Sequence, residues 1–111
     1  MSFNFDDARN LMVENQLRPN KIKNAAILDL FNRIKKEEFI FEGSKNLSYS
    51  DMDINITKNR GYIKNLSIAQ LIQSSNITKK DKILHIGGLT GYVTVILSNL
   101  CKKLIKLEAA L

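Results

Sequence analysis

One cysteine, one proline and no tryptophan occur among the 111 residues of the sequence. The lone Cys101 excludes an internal disulfide and, together with the many lysines, indicates a reducing, cytoplasmic compartment. Aromatic residues make up only 7%, so any hydrophobic core must be mostly aliphatic. No apolar run approaches the about 20 residues of a membrane span, so we expect no membrane-spanning segment. The polar, acidic first residues predict that there is no signal peptide.

Basic residues outnumber acidic ones by 17 to 11, which gives a net charge of +6. A basic domain attracts nucleic acid through counterion release, so this partner has to be considered. The lysines are scattered, however, and no aromatic residues alternate with a basic cluster as a single-strand platform requires. We therefore favour a solvated basic surface over a nucleic-acid interface.

The hydrophobic and charged fractions, 44% and 25%, are those of a globular protein. At this length the chain is one domain at most, or a piece of one. Three helices are predicted in its first two thirds. The first is capped by Asn4 and ended by Pro19, the second covers about 24–36, and the third is capped by Asn65. Their expected inward faces, by helical spacing, are Ala8, Leu11 and Met12, then Ile27, Leu30, Phe31 and Ile34, then Ile68, Leu71 and Ile72.

The segment between the second and third helices has no sustained period and many turn-forming residues. We expect it to be irregular, with short extended pieces near 39–41 and 54–56. The last third differs: "KILHIG" predicts a strand, "GYVTVILSNLCKK" a helix and "KLIKL" a second strand. A right-handed crossover makes such strands parallel. Strands that are apolar on both sides belong in the middle of a sheet, with helices on each face.

A glycine turn between strand and helix can hold a nucleotide-like cofactor, because glycines let a ligand approach the helix N-terminus closely. An acid at the end of the second strand can then bind the ribose hydroxyls. Glu108 lies 21 residues after Gly87 and directly follows "LIKL", so the spacing fits. The alternative interpretation is a packing turn followed by a surface glutamate.

Several stretches, in order along nearly the whole chain, resemble the protein-L-isoaspartate O-methyltransferase family. "SYSD" resembles the family's Ala-Tyr-x-Asp stretch, "DKILHIGGLTGYVTVILSNL" its first cofactor motif, and "LIKLE" its second strand with the ribose-binding acid. The residues that match its N-terminal helices are Arg9, Met12, Val13, Gln16, Leu17, Ile27, Leu28, Ile34 and Phe39.

This resemblance implies S-adenosylmethionine as cofactor and methyl transfer to a protein or peptide carboxylate, usually an isoaspartyl group. No catalytic nucleophile is expected, since the sulfonium methyl is already activated, and no metal site is predicted. The cofactor-binding residues that it implies are Gly87, Gly88, Thr90, Gly91, Tyr92 and Glu108.

The sequence departs from the family pattern in the cofactor motif and in the substrate loop, whose proline and glycine fall on Asn55 and Thr57. His85 stands where the family has an acid, and Leu89 replaces the middle glycine, so its side chain is expected to crowd the loop backbone. The serine of the family's substrate loop falls on Ile63. A role for His85 as proton carrier or metal ligand is the less favoured interpretation, since the chain has no second histidine.

The predicted fold class is therefore α/β, with N-terminal helices followed by the first βαβ unit of a Rossmann-like parallel sheet. Residues 1–78 would form the helical and substrate-loop region, and residues 79–111 the start of the cofactor-binding domain. A complete sheet of this class needs about five or six strands, so we expect a truncated or split member of the family. Two hypotheses remain open: a methyltransferase or its N-terminal half, and a non-catalytic remnant or assembly module that pairs, with itself or a partner, through its incomplete sheet.

Overall fold

A computed structural model describes residues 3–107 of the chain. Within this range the α-helices are α1 (Phe5–Met12), α2 (Ala25–Arg33), α3 (Asn65–Ser74) and α4 (Tyr92–Ser98). The strands are β1 (Ile54–Asn55), β2 (Gly61–Tyr62), β3 (Lys82–Ile86) and β4 (Lys103–Leu107). β1 pairs antiparallel with β2, and β3 pairs parallel with β4. None of the described helices combines the length and the apolar character needed to cross a membrane.

The first helix begins as predicted, with the Asn4 side chain accepting a hydrogen bond from the Asp7 amide at 3.0 Å. It continues beyond α1 through a π-helical turn, Val13–Leu17, and a 3₁₀ turn, Arg18–Asn20, that contains the proline. The expected burial of Leu11 is wrong, because the inner face of α1 runs through Arg9 and Met12 and leaves Leu11 exposed.

The second helix is capped by Asn24 and buries Ile27, Leu30 and Phe31 as predicted, although it ends three residues early. The third helix differs from prediction in two ways. Lys64 rather than Asn65 occupies its N-cap position, and the Asn65 side chain turns into the protein. Leu71, expected in the core, is 63% exposed.

The segment between α2 and α3 is irregular, as expected, with 3₁₀ turns at Lys36–Phe39 and Glu42–Leu47. No strand forms near 39–41, whereas the expected extended piece at 54–56 includes β1. Gly61 is needed where β2 meets β1, because a Cβ atom there would lie 2.3 Å from the Ile54 carbonyl oxygen. This close approach fixes where Tyr62, the next residue, enters the core.

The hydrophobic core is mostly aliphatic, as the composition predicts, and it is continuous from the N-terminal helices to the C-terminal unit. Leu17, Phe31, Ile68, Tyr92 and Ile96 all belong to it and are almost completely buried. Residues from both parts of the predicted division at 78/79 therefore share one core.

The C-terminal unit confirms the parallel pairing that the sequence predicts, with register partners from Lys82 and Lys103 to Ile86 and Leu107. One face of this sheet packs towards α4 and the core through Ile83 and Leu104. Its other face is apolar and open to solvent within the described residues. The side chains on that face are 54–66% exposed, and they are Leu84, Ile86, Ile105 and Leu107.

Candidate functional site

The turn between β3 and α4, residues 87–91, contains three residues in the left-handed backbone region. Gly87 and Gly91 have φ angles of 74° and 104°, which glycine adopts freely, and Leu89 has a φ of 54°. The Gly87 amide donates to the Leu107 carbonyl at 2.9 Å, so the turn leaves the sheet at the carboxyl ends of both parallel strands. We call residues 87–91 the glycine loop.

Leu89 does not crowd the loop in the way that the sequence suggests. It adopts the left-handed conformation itself, at a cost of roughly 1–2 kcal/mol for a residue with a Cβ. Its side chain is only 8% exposed and belongs to the hydrophobic core. Gly88 is required for a different reason: a Cβ atom there would lie 2.5 Å from the Thr94 Oγ1 atom. Gly88 is therefore fixed by packing against α4.

The Tyr62 hydroxyl lies at the centre of the hydrogen bonds that hold the glycine loop. It is 2.8 Å from the Thr90 Oγ1 atom and 3.3 Å from the Gly88 carbonyl oxygen, and it accepts from the Tyr92 amide at 3.2 Å. The Thr90 hydroxyl in turn donates to the Phe39 carbonyl at 2.6 Å. The sequence analysis missed Tyr62, because nothing local marks a tyrosine 28 residues before its partner.

The Tyr92 side chain lies behind the loop, within the core. Its ring packs against those of Phe31, Phe39 and Tyr62, with centroids 5.9–6.2 Å apart. Its hydroxyl is buried and has no hydrogen-bond partner among the described residues. Burial raises the pKa of this phenol well above its usual value, so the group stays neutral. The side chain of Tyr92 thus supports the loop and does not face solvent.

A buried lysine lies beneath these rings. The Lys36 Nζ atom is 5.3 Å from the ring centroid of Tyr92 and 5.4 Å from that of Tyr62, a cation–π arrangement. It donates to the Asn65 Oδ1 atom at 2.7 Å, while the Asn65 amide group donates to the Ser48 carbonyl at 2.9 Å. Burial lowers the pKa of Lys36 to about 8, an effect that the charge of Asp53 opposes.

A second buried polar cluster joins α1 to the segment after α2. The Arg9 guanidinium contacts the Glu37 carboxylate at 3.3 Å and Asp6 at 2.5 Å. The Tyr49 hydroxyl also hydrogen-bonds with Glu37, and it accepts from the Lys36 amide at 2.9 Å. Burial raises the pKa of Tyr49 to about 12. This cluster fixes the backbone at Lys36 and so the lysine beneath the loop.

A cleft of about 380 Å³ lies beside the glycine loop, between α3, β2 and the start of α4. Its size falls within the usual range of small-ligand pockets. Gly87, Gly88 and Leu89 line one side, and apolar residues such as Ile68 and Ile72 line another. Ile63, which the sequence comparison places at the family's serine, also lines it.

The six residues predicted to bind a cofactor are thus divided. Gly87 and Gly88 reach the cleft, whereas the side chains of Thr90 and Tyr92 are used in holding the loop. Gly91 precedes α4, and a Cβ atom there would contact the Phe39 ring at 3.7 Å. Glu108 follows Leu107 in the chain and lies outside the described residues.

His85 lines the same cleft, and its Nδ1 atom is 3.1 Å from the Thr94 hydroxyl. Residues 3–107 contain no cluster of three histidine, cysteine or acidic side chains that could hold a metal ion. The His85 ring is a hydrogen-bonding neighbour of Thr94 in α4.

Comparisons with known proteins agree on one family. The model of the Protein-L-isoaspartate(D-aspartate) O-methyltransferase (PCMT) family matches residues 7–108. A protein-L-isoaspartate O-methyltransferase of Protochlamydia amoebophila is 30% identical over 97 residues, which cover 87% of this chain and 46% of the relative. One from Desulfotalea psychrophila is 27% identical over 105 residues, or 95% of this chain and 49% of the relative. The chain thus spans about half the length of the curated relatives that it matches.

A solved structure supports the fold. It is that of a candidate protein-L-isoaspartate O-methyltransferase from Plasmodium falciparum in complex with S-adenosyl-L-homocysteine. The two folds align with a TM-score of 0.75 at 16% identity, over 98% of this chain and 50% of the other. At this identity the likeness supports the α/β, Rossmann-like fold and nothing finer.

Proposed function

The chain belongs to the protein-L-isoaspartate(D-aspartate) O-methyltransferase family, and from that premise we propose that it carries the S-adenosylmethionine loop of a protein carboxyl methyltransferase. The observation that carries the proposal is the position of the glycine loop. It follows the carboxyl end of β3, beside that of the parallel strand β4, and borders a cleft of about 380 Å³. In open α/β sheets, ligands bind outside the carboxyl ends of the strands.

The residues of the chain would bind and orient the cofactor, which when bound supplies an activated sulfonium methyl group. Gly87 and Gly88 suit this role because they line the cleft, and a Cβ atom at Gly87 would meet only the Arg60 side chain, at 3.6 Å. In this proposal Thr90, Gly91 and Tyr92 complete the loop, and Glu108 binds the ribose. Residues 79–111 then form the cofactor region and residues 1–78 the helical and substrate-loop region.

The proposed methyl acceptor is a carboxylate of a protein or peptide, with an isoaspartyl group as the first candidate. No nucleophilic side chain is needed, because alignment of the carboxylate with the methyl group and exclusion of water supply the catalysis. The apolar Ile63 at the cleft cannot orient that carboxylate by a hydroxyl, so other groups must do so. We place the protein in the cytoplasm, in agreement with its single free cysteine, Cys101.

Calorimetric titration of the 111-residue chain with S-adenosyl-L-homocysteine tests the cofactor proposal. We expect saturable heat, and a loss of affinity of about tenfold or more in Glu108→Ala, the equivalent of 1.4 kcal/mol. Glu42→Ala, an exposed glutamate in the 3₁₀ turn Glu42–Leu47, is the matched control. Absence of heat from the unmodified chain would reject cofactor binding by this chain, and equal affinities of the two variants would reject the role of Glu108.

A second function, assembly, is favoured by the open apolar face of the sheet. Leu84, Ile86, Ile105 and Leu107 form adjacent register pairs on that face and are all more than half exposed. Exposed apolar patches of this kind mark interaction sites. We therefore propose self-association or pairing with a partner through the sheet, and sedimentation tests the first. A concentration-dependent dimer that Ile105→Glu dissociates supports self-association, whereas a monodisperse monomer at all concentrations contradicts it.

A further inference from the structure

The Tyr62 hydroxyl contacts three groups at and beside the glycine loop, those of Gly88, Thr90 and Tyr92. We propose that Tyr62 is a positioning residue of the cofactor loop, its hydroxyl relaying hydrogen bonds from the start of α4 to Thr90 and so setting the backbone of residues 88–92. This inference rests on the proposed function, since it assigns a role within the same site. It adds a residue to which neither the sequence pattern nor the glycine motif points.

Only one assignment of donors and acceptors is consistent along the main path of the relay, which runs from the Tyr92 amide to the Phe39 carbonyl. The Tyr92 amide can only donate, so the Tyr62 oxygen accepts from it at 3.2 Å. The Phe39 carbonyl can only accept, so the Thr90 hydroxyl donates to it at 2.6 Å. The Tyr62 hydroxyl hydrogen then points to the Thr90 oxygen at 2.8 Å, with the Gly88 carbonyl at 3.3 Å as the longer alternative. Bonds aligned in this way polarise and strengthen one another.

The loop needs such a restraint because its glycines alone do not define its shape. Gly87 and Gly91 have access to many backbone conformations, and Leu89 is held in one that it would otherwise avoid. The Leu89 side chain fixes the loop from the core, and the relay fixes it from the side of β2. Without the Tyr62 hydroxyl, the buried Tyr92 amide would lose its partner.

The position of Tyr62 is itself determined by its neighbours. Gly61 allows β2 to approach β1 closely, and the ring of Tyr62 meets the Lys36 ammonium on one side and the Tyr92 ring, edge to face, on the other. These contacts hold the ring in place, and Tyr62 as a residue is 5% exposed. A phenol held in this way is a fixed donor and acceptor at the edge of the loop.

Tyr62→Phe removes only the hydroxyl, and Ser50→Ala, which removes a hydrogen-bonded hydroxyl elsewhere in the protein, is its control. The Ser50 hydroxyl donates to the Leu47 carbonyl at 2.7 Å, in the segment between α2 and β1, and makes no hydrogen bond with the glycine loop or with Lys36. Two measurements are made on the full chain: hydrogen exchange of the Tyr92 amide by NMR, relative to the core amides of α2, and the affinity for S-adenosyl-L-homocysteine. We expect Tyr62→Phe to speed the relative exchange and to weaken binding. Each should change by about tenfold, because the variant loses one hydrogen bond.

A second pair of variants covers the case in which Tyr62→Phe fails to fold. Thr90→Val removes the next hydroxyl of the relay, and Thr90→Ser retains it, so only the first should speed exchange and weaken binding. If the unmodified chain binds no S-adenosyl-L-homocysteine, the proposed function fails, and exchange of the Tyr92 amide still decides the role of Tyr62. Equal relative exchange in Tyr62→Phe and Ser50→Ala, or in the two Thr90 variants, would overturn the inference.

Discussion

The buried Lys36 should make the stability of this protein rise as the pH is raised from 7 to 9. Its pKa is lowered to about 8 in the folded chain, against an ordinary value of 10.5, and burial is the main cause. Between these values the folded state has released a proton that the unfolded chain still holds. Stability therefore increases as the pH rises through 8 and is lost again as it falls. From pH 7 to pH 9 this group alone contributes about 1 kcal/mol to the free energy of unfolding.

Urea unfolding at pH 7, 8 and 9 measures this contribution when the unmodified chain is compared with Lys36→Met. Methionine fills the space between the Tyr62 and Tyr92 rings without a titratable group, so the stability difference between the two proteins should change by about 1 kcal/mol across this range. Lys102→Met, at an exposed position, is the control and should follow the unmodified chain. Measurements stop at pH 9 because Tyr49, with a pKa of about 12, acts in the opposite direction at higher pH. Parallel pH profiles for the unmodified chain and Lys36→Met would refute the reasoning.

Two further substitutions test the packing of the site by urea unfolding. Tyr92→Phe removes a buried hydroxyl that has no partner among residues 3–107, so it should leave stability unchanged or raise it by about 1 kcal/mol; a loss of more than about 1 kcal/mol would mean that the hydroxyl is hydrogen-bonded. Leu89→Ala should cost about 2–5 kcal/mol, and Leu89→Gly no more than that, because glycine adopts the φ of 54° without the strain that a Cβ atom brings. A glycine variant clearly less stable than the alanine variant would contradict the left-handed conformation.

Local features of the sequence were sufficient to predict the elements that are determined locally. Asn4 was predicted as a cap, and its side chain reaches an amide three residues ahead. Asn24, from which the second helix was predicted to run, makes the same contact. The parallel strands followed from their apolar runs and the crossover rule, and their register is an uninterrupted pairing from Lys82 to Ile86. Such features depend on residues within one turn or one connection, which a sequence displays directly.

The buried faces of the helices were predicted less well. Periodicity shows that apolar residues form a stripe along a helix, but it does not show exactly which way that stripe faces in the protein. Leu11 and Leu71 belong to the expected stripes, yet both are exposed. In α1 the inner face includes Arg9, which no hydrophobic pattern selects and which is buried because Glu37 and Asp6 neutralise its charge. In α3, Asn65 was expected as a cap, but a buried ammonium group 29 residues earlier takes its side-chain oxygen. Tertiary partners decided both cases.

The position of the glycine loop could be predicted from the sequence, but the hydrogen bonds that hold its shape could not. Its hydrogen-bond partners, Phe39 and Tyr62, lie 51 and 28 residues before Thr90, so no local window contains them. Leu89 is a second feature that the sequence does not display. Its side chain was expected to crowd the loop, but its left-handed backbone places that side chain in the hydrophobic core.

The glycine loop and the outer face of the sheet therefore differ in whether contacts within this chain are enough to complete them. Every hydrogen bond described for the glycine loop comes from residues between Phe39 and Leu107, so its shape is determined by this chain. The outer sheet face is different, because Leu84 and Ile105 have no apolar cover among the described residues. A polypeptide that covers this face would bury apolar area and add stability without altering the relay through Tyr62. On the two proposals above, cofactor binding and assembly use different surfaces, so a substitution on the sheet face should change assembly while leaving the loop intact.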